Sequence, residues 1–254
     1  MTALLEVQDL RLSFGGVSAL RGVSLRVEEG ETVALIGPNG SGKTSLFNCV
    51  TGFYRPDGGA ITFAGQSLLG CAPHQVARRR IARTFQNVRL FPRLRVVDNL
   101  MVGRHLHFRR RFADALLGLR KEESRQRREC EELLESLDLR AWGDVPAGDC
   151  PYGIQKRVEL ARALATKPRL LLLDEPASGL TAPEREDLGA RIRTTRKALG
   201  ITLFLVEHDL GFAAHLASRV VALDQGTVIA QGTPREVQSH PGVARTYLGP
   251  EARA

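Results

Sequence analysis

The segment from Gly37 to Thr44 could bind phosphate. It reads GPNGSGKT, the pattern G-x-x-x-x-G-K-[ST], and it lies between an apolar run and a predicted helix. Its glycines let successive backbone N–H groups converge on phosphate oxygens, and the helix adds the positive end of its dipole. Lys43 would reach the β- and γ-phosphates of a nucleotide, and Thr44 would hold Mg²⁺. The strand–loop–helix context disfavours the alternative, a purely structural glycine-rich turn.

An acidic pair follows a run of leucines in LLLLDE (170–175). The leucines predict a buried strand that holds Asp174 at the carboxyl edge of a sheet, where α/β proteins bind their ligands. Asp174 suits Mg²⁺, and Glu175 could polarise an attacking water. An Asp-Glu pair alone is often only the end of a strand, so this interpretation depends on the phosphate-binding loop.

Three further side chains could belong to the same site. His208 ends another apolar run, ITLFLVEH, and at the same sheet edge it could donate a hydrogen bond to a γ-phosphate. Gln86 is polar among apolar neighbours, which means little alone. Phe14 precedes Gly15-Gly16 in a predicted strand, and its default interpretation is a core aromatic.

The stretch CPYGIQKRVELARALA (150–165) predicts a helix with an unusual start. Apolar residues recur at helical spacing, at Ile154, Val158, Ala161 and Ala165. The four residues that lead into it are Cys-Pro-Tyr-Gly, and none is a usual N-cap except, weakly, the glycine. The sequence therefore raises the question of what satisfies the N–H groups at this helix end.

The remaining pattern predicts an α/β protein. Strand-like alternation fills the first thirty residues, and residues 96–143 are charged and amphipathic, as helices are. Dense apolar runs at 169–176 and 201–209 indicate strands that are buried on both faces of a parallel sheet. Residues 219–232 predict two strands around a turn at Gln225-Gly226.

Composition narrows the class of protein. The chain has 254 residues, 43% hydrophobic and 25% charged, as in ordinary soluble proteins, and no signal peptide or membrane span is expected. A net charge of +8 indicates an anionic partner or a solvated surface. The arginine clusters at 77–83 and 107–112 contain few aromatics, which argues against a platform for single-stranded nucleic acid. Four cysteines without a C-x-x-C pair predict neither a zinc site nor disulfides.

Taken in order, the motifs resemble those of ATP-binding-cassette (ABC) ATPases. Such proteins carry an adenine-stacking aromatic, Walker A loop, Q-loop, helical insert, signature helix, Walker B motif, D-loop and H-loop. The matching positions are Phe14, 37–44, Gln86, about 93–145, 150–165, Asp174-Glu175, Ser178–Thr181 and His208. Segments such as YGIQKRVELARAL and DEPASGL resemble one subfamily, the ATP-binding subunits of bacterial importers for branched-chain amino acids and related small amides.

The resemblance implies a fold and a site. The fold would be one ABC ATPase domain over residues 1–254, with a P-loop NTPase (RecA-like) core and antiparallel β subdomain (1–92 and 146–254) and an inserted helical signature subdomain (93–145). ATP and Mg²⁺ would be the cofactors. The implied catalytic residues are Glu175, His208, Lys43 and Gln86, and the implied metal ligands are Thr44, Gln86 and Asp174. The implied nucleotide-binding residues are Phe14, Gly37, Pro38, Asn39, Gly40, Ser41, Gly42, Lys43, Thr44, Ser45, Tyr152 and Gly153.

In this family two cassettes close head to tail, and each signature helix aims its N-terminus at the γ-phosphate that the other cassette holds. The N–H groups without a cap at 150–165 would then bind the nucleotide, and Gly153 would allow a close approach. Two residues depart from the family pattern: Pro151 replaces a serine whose hydroxyl would donate to the phosphate, and Thr181 replaces an Asp or Asn. Either the site works with the remaining N–H groups, or it is a degenerate site of a heterodimer.

The implied function is ATP hydrolysis coupled to uptake of a small solute, by a chain bound peripherally to the cytoplasmic face of the bacterial inner membrane. The implied partners are membrane permease subunits, a second ATPase subunit and, indirectly, a solute-binding protein; no nucleic acid is expected. Residues 87–91 (NVRLF) suit a permease-docking surface or a plain core turn. Alternative functions are a soluble ABC ATPase that acts on nucleic acid and a non-hydrolysing regulatory subunit.

Overall fold

The computed structural model describes residues 3–105 and 119–248. The first sheet is antiparallel, as the alternation at the N-terminus predicts. Its strand order is β2-β1-β4-β5, and the strands are β1 (Ala3–Phe14), β2 (Val17–Glu28), β4 (Gly58–Phe63) and β5 (Gln66–Ser67). One face of this sheet is buried, since Leu5, Val7 and Leu10 of β1 belong to a core cluster.

The second sheet has the order β10-β9-β3-β8-β7-β6. All its neighbouring strands run parallel except the edge pair β9–β10, which forms the predicted hairpin. The strands are β3 (Thr32–Ile36), β6 (Ile81–Arg83), β7 (Leu170–Asp174), β8 (Thr202–Glu207), β9 (Arg219–Asp224) and β10 (Thr227–Gly232). Strands β3, β7 and β8 are buried along their whole length, which explains their unbroken apolar sequences. Because β3, β6, β7 and β8 are parallel, their carboxyl ends meet at one edge.

The described residues also form α-helices. They are α1 (Lys43–Val50), α2 (Pro73–Arg78), α3 (Val96–Arg104), α4 (Leu119–Ser136), α5 (Tyr152–Ala165), α6 (Ala182–Leu199), α7 (Leu210–Leu216), α8 (Pro234–Gln238) and α9 (Pro241–Leu248). The amphipathic segment at 96–143 forms α3 and α4 where it is described, and α3 packs against α5. The proposed limits of the helical insert, 93 and 145, remain a prediction. The arginine cluster at 107–112 lies outside the described residues.

Two apolar cores lie against the second sheet. One lies between it and the antiparallel sheet and includes α1, where the rings of Phe47 and Phe204 are 5.1 Å apart. The other includes apolar residues of α3, α5, α6 and α7. All four cysteines are free thiols, as predicted. Within 3–105 and 119–248, no helix combines the length and the apolar character that a membrane crossing requires.

Candidate active site

The phosphate-binding loop connects β3 to α1 at the carboxyl edge of the second sheet. Gly42 is the N-cap residue of α1 and has φ 105°, a left-handed conformation, and no side chain caps the helix. A Cβ atom at Gly42 would lie 2.6 Å from the carbonyl oxygen of Ala19. The loop therefore requires glycine at this position, and it leaves the first N–H groups of α1 to an external acceptor.

Lys43 lies inside this loop and is only 5% exposed. Its Nζ atom donates hydrogen bonds to the carbonyl oxygens of Gly37 and Pro38, at 2.7 and 2.8 Å. Burial lowers the pKa of Lys43, whereas the nearby charges of Glu175 and Asp174 act to raise that pKa. The ammonium group is thus held beside the two carboxylates that end β7.

Two of the predicted catalytic side chains approach the carboxylate of a third, Glu175. Gln86 donates its amide N–H to Oε2 of Glu175 at 3.0 Å, and Nδ1 of His208 lies 3.7 Å from the same oxygen. Glu175 has φ 47°, a left-handed conformation that costs a residue with a side chain about 1–2 kcal/mol. The structure therefore brings together Lys43, Gln86, Glu175 and His208, with Asp174 adjacent.

Phe14 does not belong to the core: the default interpretation is wrong, because its side chain is 46% exposed. Phe14 ends β1, where the hairpin turn at Gly15-Gly16 carries the chain into β2, and its ring contacts that of Tyr54 edge to face at 5.2 Å. An exposed ring that is fixed by a neighbour suits stacking against a flat ligand. The sequence did not point to Tyr54, which follows the C-terminus of α1.

The signature helix α5 begins at Tyr152, and Pro151 is its N-cap residue with ψ 152° and no side-chain cap. Pro151 therefore directly precedes the first turn of the helix. Tyr152 is 44% exposed. Beside Gly153 lies the carboxylate of Glu184, which accepts hydrogen bonds from the N–H and hydroxyl of Thr181. Thr181 thus begins α6.

Three charged residues outside the family motifs lie next to this group. Lys156 of α5 donates from Nζ to the carbonyl oxygen of Gln86 at 2.8 Å. Glu207 accepts a hydrogen bond from the N–H of Ala177 at 3.2 Å, and burial raises the pKa of Glu207 to about 7. Arg83 forms an ion pair with Asp174. For Glu207 the available signal was a charge that ends an apolar run, ITLFLVE.

Comparison with known proteins identifies the family of this chain. A family model described as ABC transporter matches residues 20–178, and one described as Branched-chain amino acid ATP-binding cassette transporter matches residues 227–250. The high-affinity branched-chain amino acid transport ATP-binding protein BraF of Pseudomonas aeruginosa is 43% identical over 97% of this chain and 98% of its own length. LivG of Escherichia coli K12, which has the same description, is 40% identical over the same shares.

Solved structures agree too. The ADP conformation of MJ1267, an ATP-binding cassette of an ABC transporter, has a TM-score of 0.86 at 30% identity and covers 98% of this chain and 100% of its own. These similarities confirm the predicted fold class and the resemblance seen in the motifs. Because one family model spans more than half of the chain and the relatives match it almost from end to end, this chain belongs to the ABC transporter family as one of its ATP-binding, ATP-hydrolysing subunits.

Proposed function

We propose that this ATPase powers a bacterial importer that takes up branched-chain amino acids. The observation that carries the proposal is the arrangement at Glu175, whose carboxylate is approached by Gln86 and His208. The charge of Lys43 lies near the same carboxylate. The relatives BraF and LivG are named for branched-chain amino acid transport, and the proposed class of solute is taken from these names.

In the proposed reaction, N–H groups of the loop 37–44 and the Lys43 ammonium bind the phosphates of ATP, with adenine stacked on Phe14. Glu175 accepts a hydrogen bond from the attacking water and aims it at the γ-phosphorus, in line with the leaving ADP oxygen. Lys43 and His208 donate to the γ-phosphoryl oxygens, where negative charge is redistributed in the transition state.

The oxygen atoms available at the site suit Mg²⁺. Thr44 contributes a hydroxyl and Asp174 a carboxylate, and both are hard oxygen donors of the kind that Mg²⁺ prefers. Gln86 gives its amide nitrogen to Glu175, so its amide oxygen is the atom that would face a metal. Bound Mg²⁺ would neutralise phosphate charge. We assign Thr44, Asp174 and Gln86 as the protein groups that would hold it.

A second cassette would complete the site. The N-terminus of α5 has no side-chain cap, and Tyr152 beside it is exposed, so a phosphate held by a partner copy could accept its N–H groups. Within the same chain, the Tyr152 hydroxyl donates to the carbonyl of Ser178 at 3.4 Å. This bond would link the signature helix to the D-loop, which follows Glu175.

A cleft beside the Q-loop suits the permease. It has a volume of about 280 Å³ and lies between α2 and β6 on one side and α3 and α5 on the other. Phe53 and Val102 line the cleft and have exposed apolar side chains. Phe91, five residues after Gln86, is also exposed. Leu90, in contrast, packs against the core, as the alternative of a core turn predicts, and the docking surface stays a prediction. A permease in this cleft would place the ATPase on the cytoplasmic membrane face.

Transport by the assembled importer tests the proposal. The chain is produced with its permease, second ATPase and solute-binding partners and reconstituted in vesicles. ATP should drive the uptake of labelled leucine, isoleucine and valine. Phe53→Asp should lower uptake while ATP binding by the isolated chain persists, because Phe53 is exposed in the cleft. ATP hydrolysis that responds to a different solute would refute the solute class, and Phe53→Asp uptake equal to wild type would refute the cleft.

Replacement of Pro151 by serine distinguishes a working signature helix from a degenerate one. Serine at the N-cap can cap α5, a gain of about 1 kcal/mol, and its hydroxyl can donate to a phosphate of the partner copy. Pro151→Ser is therefore expected to raise the ATPase rate or the ATP-driven dimerisation, measured by steady-state hydrolysis and light scattering. A rise in melting temperature with neither change would mean that Pro151 does not handicap the site.

A further inference from the structure

Arg83 ends β6, the edge strand beside β7, and its side chain is buried. Its Nη2 atom donates to Oδ2 of Asp174 at 2.6 Å, and the side chains are only 7% and 6% exposed. Strands β6 and β7 are parallel, and Arg83 pairs with Leu172, two residues before Asp174. Arg83 and Asp174 therefore both lie at the carboxyl edge of the sheet. One carboxylate oxygen of Asp174 is therefore already bound within the protein.

The same guanidinium group is bound to α1. Its Nη1 atom donates to Oδ1 of Asn48 at 2.6 Å and to Oγ1 of Thr51 at 3.2 Å. The rings of Phe47 and Phe85 lie 5.6 and 5.2 Å from its central carbon. A guanidinium is planar with donors in a fixed fork, so these contacts fix its orientation as well as its position.

The bond to Asn48 connects Arg83 to the helix that carries Thr44. Thr44 and Asn48 are four residues apart on α1, so they lie on one face of that helix. We propose that Arg83 is a positioning residue for Mg²⁺: it fixes the spacing between two of the protein groups that would hold the metal, Thr44 on α1 and Asp174 on β7.

Two features favour this role over a purely structural ion pair. The N–H of Asp174 donates to the hydroxyl of Thr84 at 3.3 Å, so both the backbone and Oδ2 of Asp174 are held, and Oδ1 is the carboxylate oxygen that would remain for a metal. Arginine here joins three elements, β6, α1 and β7, whereas a simple charge partner needs to touch only Asp174. The inference rests on the proposed nucleotide and metal site.

The test measures metal binding directly. The full-length chain is saturated with ADP and titrated with Mn²⁺, and free Mn²⁺ is followed by its electron paramagnetic resonance signal. Arg83→Met should raise the half-saturating Mn²⁺ concentration by about tenfold or more, because a hydrogen bond to a charged group is lost. Asn48→Ala, which keeps the ion pair and the longer bond to Thr51 but removes the bond to Asn48, should raise it by about threefold. ADP affinity in EDTA should change by less than about twofold.

Arg83→Lys provides the conservative arm, since lysine retains the charge but has one nitrogen in place of the two that contact Asn48 and Asp174. It should resemble Asn48→Ala. Arg104→Lys is the matched control, because Arg104 is an equally buried arginine that is paired with Glu129 on the helical insert. It should lower the melting temperature without changing Mn²⁺ binding. If Arg83→Met does not fold, the Mn²⁺ titrations of Arg83→Lys and Asn48→Ala still test the proposal.

The outcomes are distinct. Unchanged or tighter Mn²⁺ binding in Asn48→Ala and Arg83→Lys, with lower melting temperatures, would show that Arg83 is only structural. Equal losses of ADP affinity with Mn²⁺ and with EDTA would also overturn the inference. A wild-type chain that binds neither ADP nor Mn²⁺ would refute the proposed site itself, which is a different result.

Discussion

Replacement of Glu175 by glutamine is expected to lower ATP hydrolysis by about a hundredfold or more and to leave ATP bound. Glutamine keeps the shape of the side chain but cannot accept a proton or fully orient a water. Gln86 and His208 both approach Oε2 of Glu175, so the change also alters the atom on which they converge. The measurement is steady-state phosphate release, paired with fluorescent-nucleotide binding.

The control for this variant is Glu186→Gln on α6. Glu186 is an exposed glutamate eleven positions further along the chain, and the same chemical change there should leave hydrolysis within about twofold of wild type, as surface substitutions usually do. Turnover of Glu175→Gln near the wild-type rate would remove Glu175 as the residue that orients water. Loss of nucleotide binding together with activity would instead mean that Glu175 holds the site in shape.

Strands β3, β7 and β8 could be predicted from the sequence because burial on both faces leaves no polar position. The motifs that follow them then share one sheet edge by topology, so the neighbourhood of Lys43, Asp174 and Glu175 followed from their order. The hairpin β9–β10 was predictable for a similar local reason, since Gln225-Gly226 marks its turn.

Arg83 could not be assigned in the same way, because its partners are distant in sequence. Asn48 is 35 positions away and Asp174 is 91 positions away, so no local pattern connects them. The sequence places Arg83 in an arginine cluster that indicates a charged surface, whereas the structure buries its side chain. Strand β6, which carries it, has only three residues and is defined by pairing with β7 rather than by its own pattern.

The strand pattern alone predicted a core position for Phe14, whereas the family resemblance implied adenine stacking. An aromatic residue in an alternating strand satisfies the pattern of a buried position, and only the tertiary fold shows that β1 ends there at the surface. Burial of aromatics is a general tendency, and the informative observation is the exception. The exposed ring also supports the nucleotide-binding role that the resemblance implies for Phe14, and that role stays a prediction.

Lys43→Ala is expected to weaken ATP binding by about a hundredfold or more, because two hydrogen bonds between an ammonium and phosphate oxygens contribute at least about 3 kcal/mol. In the structure Nζ of Lys43 donates to the carbonyl oxygens of Gly37 and Pro38, which shows that the side chain reaches into the loop. Calorimetric titration with ATP measures the change.

AMP makes this prediction specific, since it has neither the β- nor the γ-phosphate that Lys43 would contact. Lys43→Ala should lower the affinity for ATP and leave that for AMP within about threefold, provided that Phe14 and the loop keep their shape. Lys197→Ala, at an exposed lysine of α6, should change neither affinity. Equal losses for ATP and AMP would show that Lys43 supports the loop through its bonds to Gly37 and Pro38 and that its charge is not aimed at the terminal phosphates.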